Sequence, residues 1–318
     1  MMKKALITGI CGQDGSYLAE FLLSKNYKVF GLEKSGDKDF GNIRHIAQKI
    51  KFVEADLLDE GSLKKAIKKV RPDEIYNLAA QSSVALSWAQ PVYTGEITGL
   101  SVARLLEAIR QTDPKIKFFQ ASSSEIFGGT GQVPQNENTP FCPVNPYGNS
   151  KLYAHLMVSG YRKAYGMFAV SGILYNHESP RRGIGLVTRK IVNAAVRIKL
   201  GMAKELRMGN LNVEKDWGFA GEYVEAMWLM LQQKRPVDYV IATGETHTVK
   251  EFVEAVFKYL DLDPKKYVKV DKKFFRPIEA NLLKGDYSKA KKELKWKPKI
   301  KFDQLVKMMV DSDLKLLQ

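Results

Sequence analysis

The chain is poor in the residues that build covalent and metal frameworks. It holds two cysteines, Cys11 and Cys142, and four histidines, His45, His155, His177 and His247, among 318 residues. The cysteines form no metal-spaced pair and the histidines are scattered, so no metal site is expected. An intracellular, reduced protein of the cytoplasm is the simplest reading. No apolar run approaches the ~18 residues needed to cross a bilayer, so no membrane partner is expected. The opening MMKKALITGICG has a basic head, but its apolar stretch is short and glycine-broken, with no small-residue cleavage site. It reads as a first strand and not as a signal peptide. Helix-turn-helix, zinc-finger and RNA-recognition signatures are missing, and no nucleic-acid partner is expected. Internal repeats and low-complexity linkers are missing too.

What is present begins with charge. The formal net charge is +15, which favours phosphate-bearing ligands. The lysine-rich stretches KKAIKK, DPKKYVKVDKK and SKAKKELKWKPKIK are spread along the chain and read as solvated faces, not one groove. Strand and helix signals alternate through the first half: ALIT, SYLAEFLLSK, KVFGLE, KFVEA, GSLKKAIKKV, EIYNLAA, GLSVARLLEAIRQT, KFFQASS, a helix from Tyr147, and FAVSGILY. This βαβ rhythm predicts an α/β fold, a Rossmann-like doubly wound parallel sheet with helices on both faces. Beyond Asn176 the rhythm weakens, with helical stretches at VTRKIVNAAVRIKL and KEFVEAVFKYL and a strand, YVIATG, returning to the sheet. The expected division is a dinucleotide-binding domain over 1–175, completed by about 216–245, and a smaller α/β substrate lobe from 176–215 and 246–318.

Three motifs carry chemistry. In TGICGQDGSYLAE, Gly9, Gly12 and Gly15 stand between a strand and an amphipathic helix. Glycines there permit a tight turn and let backbone N–H groups approach a pyrophosphate at the helix N-terminus. Tyr147 and Lys151 in NPYGNSKLYAH are four apart and share a helix face. An ammonium beside a phenol favours the phenolate. Tyr287 and Lys291 repeat the spacing, but in a lysine-dense tail where a solvated helix explains them. In QASSSEIFGG, Glu125 follows Ser122, Ser123 and Ser124 where a buried strand emerges. A solvated loop carboxylate is the competing reading of that stretch.

The glycine triplet, Asn77-Leu78-Ala79-Ala80, Ser122-Ser123-Ser124-Glu125 and Tyr147-x-x-x-Lys151 together resemble the extended short-chain dehydrogenase/reductase family. Longer segments, NHESPRRG, VTRKI, DWGFAGEYVEAMWLML, IATGETHTVKEFVE and FFRPIEANLLKGD among them, closely resemble the GDP-mannose 4,6-dehydratase family nearly end to end. The resemblance implies a closed redox cycle on a GDP-sugar. The oxidised cofactor takes hydride from sugar C4, the resulting ketone acidifies C5, water leaves from C6, and hydride returns to C6. By this resemblance the catalytic residues are Ser123, Glu125, Tyr147 and Lys151. Tyr147 is the first base, Lys151 holds it ionised, Ser123 bonds O4, and Glu125 is the acid/base for C5 and O6.

Cofactor contacts are expected, by the same resemblance, from Gly9, Gly12, Gln13, Asp14, Gly15, Glu33, Lys34, Asp56, Leu57, Leu78, Ala79, Ala80, Tyr147, Lys151 and His177. The substrate is expected to meet Ser82, Ser124, Asn176, Val187, Lys190, Lys215, Arg276 and Glu279. Ser83 stands where the family carries histidine and Lys215 where it carries arginine. The smaller Ser83 leaves open a GDP-sugar other than mannose, such as GDP-N-acetylglucosamine or a GDP-heptose. A reductase or epimerase of GDP-4-keto-6-deoxysugars is the rival within enzymes. The cofactor is NAD(P). Glu33 at the end of the second strand favours NAD, since a carboxylate repels a 2′-phosphate, whereas the resemblance favours NADP. The alternative has Lys34 and Arg44 gripping that phosphate. A homodimer or homotetramer is expected by resemblance, with the loop KSGDKDFGNIR unlike the family's version.

Overall fold

Strands too short and apolar to stand alone are covered by helices on both faces. The computed structural model describes residues 2–34 and 40–318, so the part of the KSGDKDFGNIR loop from 35 to 39 lies outside the described residues. The first half runs β1 (Lys4–Thr8), α1 (Gln13–Ser24), β2 (Lys28–Glu33), β3 (Lys51–Glu54), α2 (Glu60–Val70) and β4 (Glu74–Asn77). Two short helices, α3 (Val84–Ala89) and α4 (Pro91–Thr94), lead to α5 (Ser101–Thr112), then β5 (Lys117–Ser123), α6 (Pro146–Tyr165) and β6 (Ala169–Leu174). The second half interleaves β7 (Asn176–Glu178), α7 (Val187–Lys199), β8 (Leu206–Met208), β9 (Glu214–Lys215), β10 (Trp217–Phe219), α8 (Ala220–Leu231) and β11 (Tyr239–Ile241). It ends with β12 (His247–Thr248), α9 (Val249–Tyr259), α10 (Pro264–Tyr267), β13 (Val268–Val270) and α11 (Phe302–Leu317).

Seven strands form one parallel sheet in the order β3-β2-β1-β4-β5-β6-β11. The doubly wound fold expected from the alternation is present, and YVIATG does return to the sheet, beside β6. The strand order reverses between β1 and β4, and the crevice outside the carboxyl ends of the strands at such a switch point takes ligands. One face of the sheet is sealed by Leu18, Leu22, Tyr223 and Met227, the other by Leu63, Ile67, Leu105, Ile109 and Val158. A separate apolar cluster binds α7, α9 and α11 through Ile191, Val196, Phe252, Phe257 and Met309.

Local chemistry sets the elements that carry the site. Asn145 caps α6 by accepting from the Gly148 N–H at 2.8 Å, Pro146 takes the first helical position, and Gly166 ends the helix at φ +66°. Thr8 closes β1. Its hydroxyl donates to Asn77 Oδ1 at 2.6 Å and accepts from the Leu78 and Ala79 N–H groups at 3.1 Å, tying the exit of β4 to that of β1. Gly9 has φ +68°, and a Cβ there would lie 2.9 Å from the Ala79 nitrogen, so only glycine passes. A Cβ on Gly15 would stand 2.3 Å from the Gly9 carbonyl oxygen.

One expectation about the tail needs correcting. Tyr287 is half-buried, edge-on to Trp296 at 6.0 Å, and packs against the core beneath α8 with Ala290, Leu294 and Trp296. A rigid apolar ring outweighs its lysine neighbours, so the tail is only partly solvated.

Candidate active site

A cavity of about 730 Å³ opens at the carboxyl ends of β4, β5 and β6. It gathers residues from positions 14 to 279 of the chain. From the sheet side come Asp14, Leu78, Ala80, Ser82, Ser83, Ser123, Ser124, Glu125, Tyr147 and Lys151, and from the second half Asn176, His177, Val187, Lys190, Lys215, Arg276 and Glu279.

β5 delivers the glutamate. Its last residue, Ser123, accepts from the Glu125 N–H at 3.2 Å and turns the chain into a short helix, which brings Glu125 to the cavity lining. Glu125 is only 8% exposed, which removes the solvated-loop reading. Its Oε2 accepts from the Asn145 amide at 2.8 Å, and its Oε1 lies 3.7 Å from Lys215 Nζ.

α6 supplies the tyrosine and the lysine. Burial pushes the Tyr147 phenol up to about 12, against the Ser123 hydroxyl, which pulls it down. Burial likewise drives the Lys151 ammonium down to about 8. Lys151 Nζ donates to the Ala121 carbonyl at 2.7 Å and stands 5.7 Å from the centre of the Tyr147 ring. In this ligand-free arrangement Lys151 does not lower the Tyr147 phenol. One of the three ammonium donors goes to a backbone acceptor, and desolvation of the phenol wins.

His177 extends the same wall. Its Nδ1 meets the Tyr175 carbonyl at 2.7 Å, its Nε2 meets Asp14 Oδ2 at 2.8 Å, and its ring stacks on Tyr223 at 4.6 Å. Burial opposes ionisation of Asp14, yet His177 and the Gln13 amide outweigh it and hold the carboxyl at about 2. Burial opposes charging of His177 as well, and Asp14 reverses that to raise it. Opposite the glutamate, Lys190 Nζ sits 4.0 Å over the Phe274 ring, and Arg276 approaches Glu279 at 3.5 Å.

A second, smaller cavity of about 160 Å³ is lined by Gly9, Ile10, Cys11, Gly12, Leu32, Glu33 and Lys34. It lies over the β1–α1 turn, beside the N-terminus of the 12-residue α1. Side chains on Gly9 or Gly12 would crowd this turn. A glycine-lined concavity at a helix N-terminus fits a dinucleotide pyrophosphate.

Five expected cofactor residues line neither cavity. Gly15 lets α1 pass close to the turn. Gln13 is buried, its amide donating to the His177 carbonyl at 3.0 Å and its oxygen accepting from Ser179 at 2.8 Å. Asp56 pairs with Lys34 at 3.1 Å, Leu57 is buried in the core, and the Ala79 N–H is taken by Thr8. Several residues were not foreseen. Asn145 was legible only as the start of a helix, yet its amide clamps Glu125. Arg182, paired with Glu178 at 3.0 Å, was visible inside NHESPRRG but had no assigned role. Trp88 and the exposed Phe274 and Phe275 also line the main cavity, and no pattern pointed to them.

The comparisons agree with this geometry. The family model described as GDP-mannose 4,6 dehydratase matches residues 6–309. The chain belongs to the GDP-mannose 4,6-dehydratase family. GDP-mannose 4,6 dehydratase 2 of Arabidopsis thaliana is 53% identical over 327 residues, covering 99% of this chain and 87% of the relative. Among solved structures, UDP-glucose 4-epimerase of Thermus thermophilus, a complex with NAD, has a TM-score of 0.85 at 25% identity and covers 98% of both chains. RMD of Pseudomonas aeruginosa, complexed with NADPH, has a TM-score of 0.84 at 21% identity, covering 99% of this chain and 100% of the other. Membership explains the match between motif and fold, and a nicotinamide dinucleotide is the cofactor class that the glycine turn suits.

Proposed function

We propose that the chain is a nucleotide-sugar 4,6-dehydratase that converts GDP-mannose to its GDP-4-keto-6-deoxy sugar with loss of water. The observation that carries this reading is the convergence of Ser123, Glu125, Tyr147 and Lys151 on one cavity, with Glu125 buried and clamped by Asn145. A bound nicotinamide would supply the hydride acceptor for C4, the hydride donor for C6, and a positive charge near Tyr147. Gly9, Gly12, Asp14, Glu33, Leu78, Ala80 and His177 would hold it.

Tyr147 takes the proton of the C4 hydroxyl while Ser123 donates to O4. A phenol held at about 12 is a poor base in the ligand-free site. It acts once a cation or the substrate hydroxyl meets it, since a nearby positive charge favours the phenolate. Lys151, at about 8, is still mostly charged at neutral pH and available for a ribose hydroxyl. With a ketone at C4, Glu125 accepts the C5 proton and the C5–H electron pair becomes the C5–C6 double bond. The C6–O bond breaks, and Glu125 returns its proton to that oxygen, which leaves as water. Asn176, Val187, Lys190, Arg276 and Glu279 would receive the phosphates, guanine and ribose, the Arg276 fork suiting phosphate oxygens.

Ser83 favours a second substrate reading. Its hydroxyl is spent capping α3 by accepting from the Leu86 N–H at 3.2 Å, so this corner of the cavity presents a small group. A GDP-sugar bulkier than mannose, such as GDP-N-acetylglucosamine or a GDP-heptose, is the alternative substrate. A product assay across a panel of GDP-sugars tests both. A 4-keto product without turnover of added cofactor supports dehydration, and conversion of no GDP-sugar overturns it.

For the cofactor we propose NAD. Glu33 ends β2 at the smaller cavity, and Lys34 is engaged by Asp56 at 3.1 Å. Mass spectrometry of the cofactor released on denaturation should recover NAD, and recovery of NADP alone would refute the preference. The division into a dinucleotide-binding domain and a GDP-sugar lobe, and a dimer or tetramer, belong to the same reading.

A further inference from the structure

Lys215 is an unusual lysine. It is 6% exposed, and its ammonium has no hydrogen-bond acceptor among the described residues. A lysine costs conformational entropy and desolvation when buried, and one without an acceptor is retained where another group uses its charge. Its backbone is fixed from two sides. β9 pairs antiparallel with β12, placing Lys215 opposite His247, and a bridge joins Lys215 to Leu283. The next residue, Asp216, is locked by the Thr243 hydroxyl and N–H at 2.6 and 2.8 Å and the Gly244 N–H at 2.9 Å. The side chain is thus presented to the cavity from a rigid base.

The nearest carboxylate is Glu125, whose Oε1 lies 3.7 Å from Nζ. The two oxygens of Glu125 are not equivalent. Oε2 is committed to Asn145, which is itself held by the Gly148 N–H. Among the described residues Oε1 accepts no hydrogen bond, and its paired cation is the Lys215 ammonium. A charge at 3.7 Å that is not hydrogen-bonded attracts the carboxylate without occupying its lone pairs. That leaves Oε1 open to accept a proton from carbon.

We propose that Lys215 is a positioning residue for Glu125, steering the free carboxylate oxygen toward C5 during water loss. This rests on the dehydratase reading above and deepens it. In that role Lys215 acts on the elimination step and not on the initial oxidation at C4. It also acts on turnover more than on substrate affinity, whereas a lysine whose only work was to hold the diphosphate would act on affinity.

The test is a double-mutant cycle in the cofactor-loaded protein with GDP-mannose, after wild-type dehydration has been shown. Lys215→Met keeps length and apolar volume. It should lower kcat about 10- to 100-fold with KM changed less than about threefold. After substrate is added, reduced nicotinamide should build up, because oxidation proceeds and elimination lags. Lys215→Arg, which keeps the charge, should retain most of the rate. In a Glu125→Gln background, Lys215→Met should add nothing to the loss of elimination, since residues acting through one group are not additive. Calorimetric binding of GDP to each variant confirms a folded site. A Lys215→Met enzyme with a raised KM and normal kcat would overturn the proposal in favour of a phosphate contact. Additive losses in the double mutant, or no build-up of reduced cofactor, would also overturn it. If the wild type itself dehydrates no GDP-sugar, the dehydratase reading fails first, and the absence of any elimination to steer takes the proposal with it.

Discussion

Removing the positive charge of Lys151 should make the cofactor-free protein more stable while destroying its activity. Lys151 is 4% exposed, and burial lowers its ammonium from 10.5 to about 8. A base whose folded value lies below its unfolded value carries a cost that is full below about pH 8. That cost fades as pH rises from about 8 to 10.5, where the unfolded chain also loses the proton. The gap corresponds to ~3 kcal/mol of destabilisation at neutral pH. Lys151→Met relieves it but strips the Ala121 carbonyl of a charged donor at 2.7 Å, which gives back about 1–2 kcal/mol. The net gain is ~1–2 kcal/mol at pH 7, or a rise in Tm of about 1.5–3 °C for a chain of 318 residues. Thermal unfolding of stripped wild-type and variant protein at pH 7 and pH 10.5 provides the assay. At the higher pH the relieved cost is gone, and the variant should be level with or slightly below wild type. A lower Tm at pH 7, or a difference equal at both pH values, would refute the reasoning.

Other perturbations address the neighbours. Glu125→Gln should leave GDP-mannose binding by calorimetry nearly intact while lowering product formation by roughly 10²–10⁴, because the amide cannot accept a proton; full activity would remove Glu125 from the chemistry. Tyr147→Phe should abolish the reduced-cofactor absorbance that follows substrate addition, while Tyr287→Phe, at a residue that lines neither cavity, leaves it unchanged; equal behaviour would misplace the site. For the Asp14–His177 pair, the depressed carboxyl contributes stability above about pH 4 that is lost toward about pH 2, and the raised imidazole contributes below 6.5 and loses it as pH climbs. Asp14→Asn should therefore destabilise most between about pH 4 and 6.5, by ~2 kcal/mol in chemical denaturation, and a flat difference across pH would refute the pair.

Much of the fold was legible because the sheet is assembled from local signals. Strands of four to seven residues alternate with amphipathic helices, and each strand through β5 was readable from its apolar run. The cavity was legible only through motifs, since the residues that meet there come from positions far apart. Ser123, Glu125, Tyr147 and Lys151 were named in sequence and share one cavity. Their electrostatics were not legible. Spacing placed Lys151 one turn from Tyr147, but spacing cannot say that the ammonium is taken by Ala121 or that burial outweighs attraction. The second lobe was harder for a related reason. α11 buries Leu305, Met309 and Val310 against α7 and α9, contacts across about fifty to more than a hundred residues that leave no short-range signature.

The net charge of +15 says little about the ligand, because most of it lies on solvated faces. The cavity says more. Six basic side chains line it, Lys151, Arg182, Lys190, Lys215, Lys273 and Arg276, against four acidic ones, Asp14, Glu125, Glu178 and Glu279. A surplus of two matches the two charges of a diphosphate diester. The pairing within the cavity points the same way. Asp14 faces His177, Glu178 faces Arg182 and Glu279 faces Arg276, while Lys190 rests on an aromatic ring and Lys215 lacks an acceptor among the described residues. Burial lowers the proton affinity of Lys151 and Lys190. An arriving dianion acts in the opposite direction, raising their proton affinity and relieving the cost of having buried them. The partly buried Lys190 ammonium is thus a source of destabilisation in the empty protein that a dianionic nucleotide relieves on binding. Neutral sugars lack the charge to do so, and the requirement for a nucleotide handle follows from the cavity before any base-specific contact is considered.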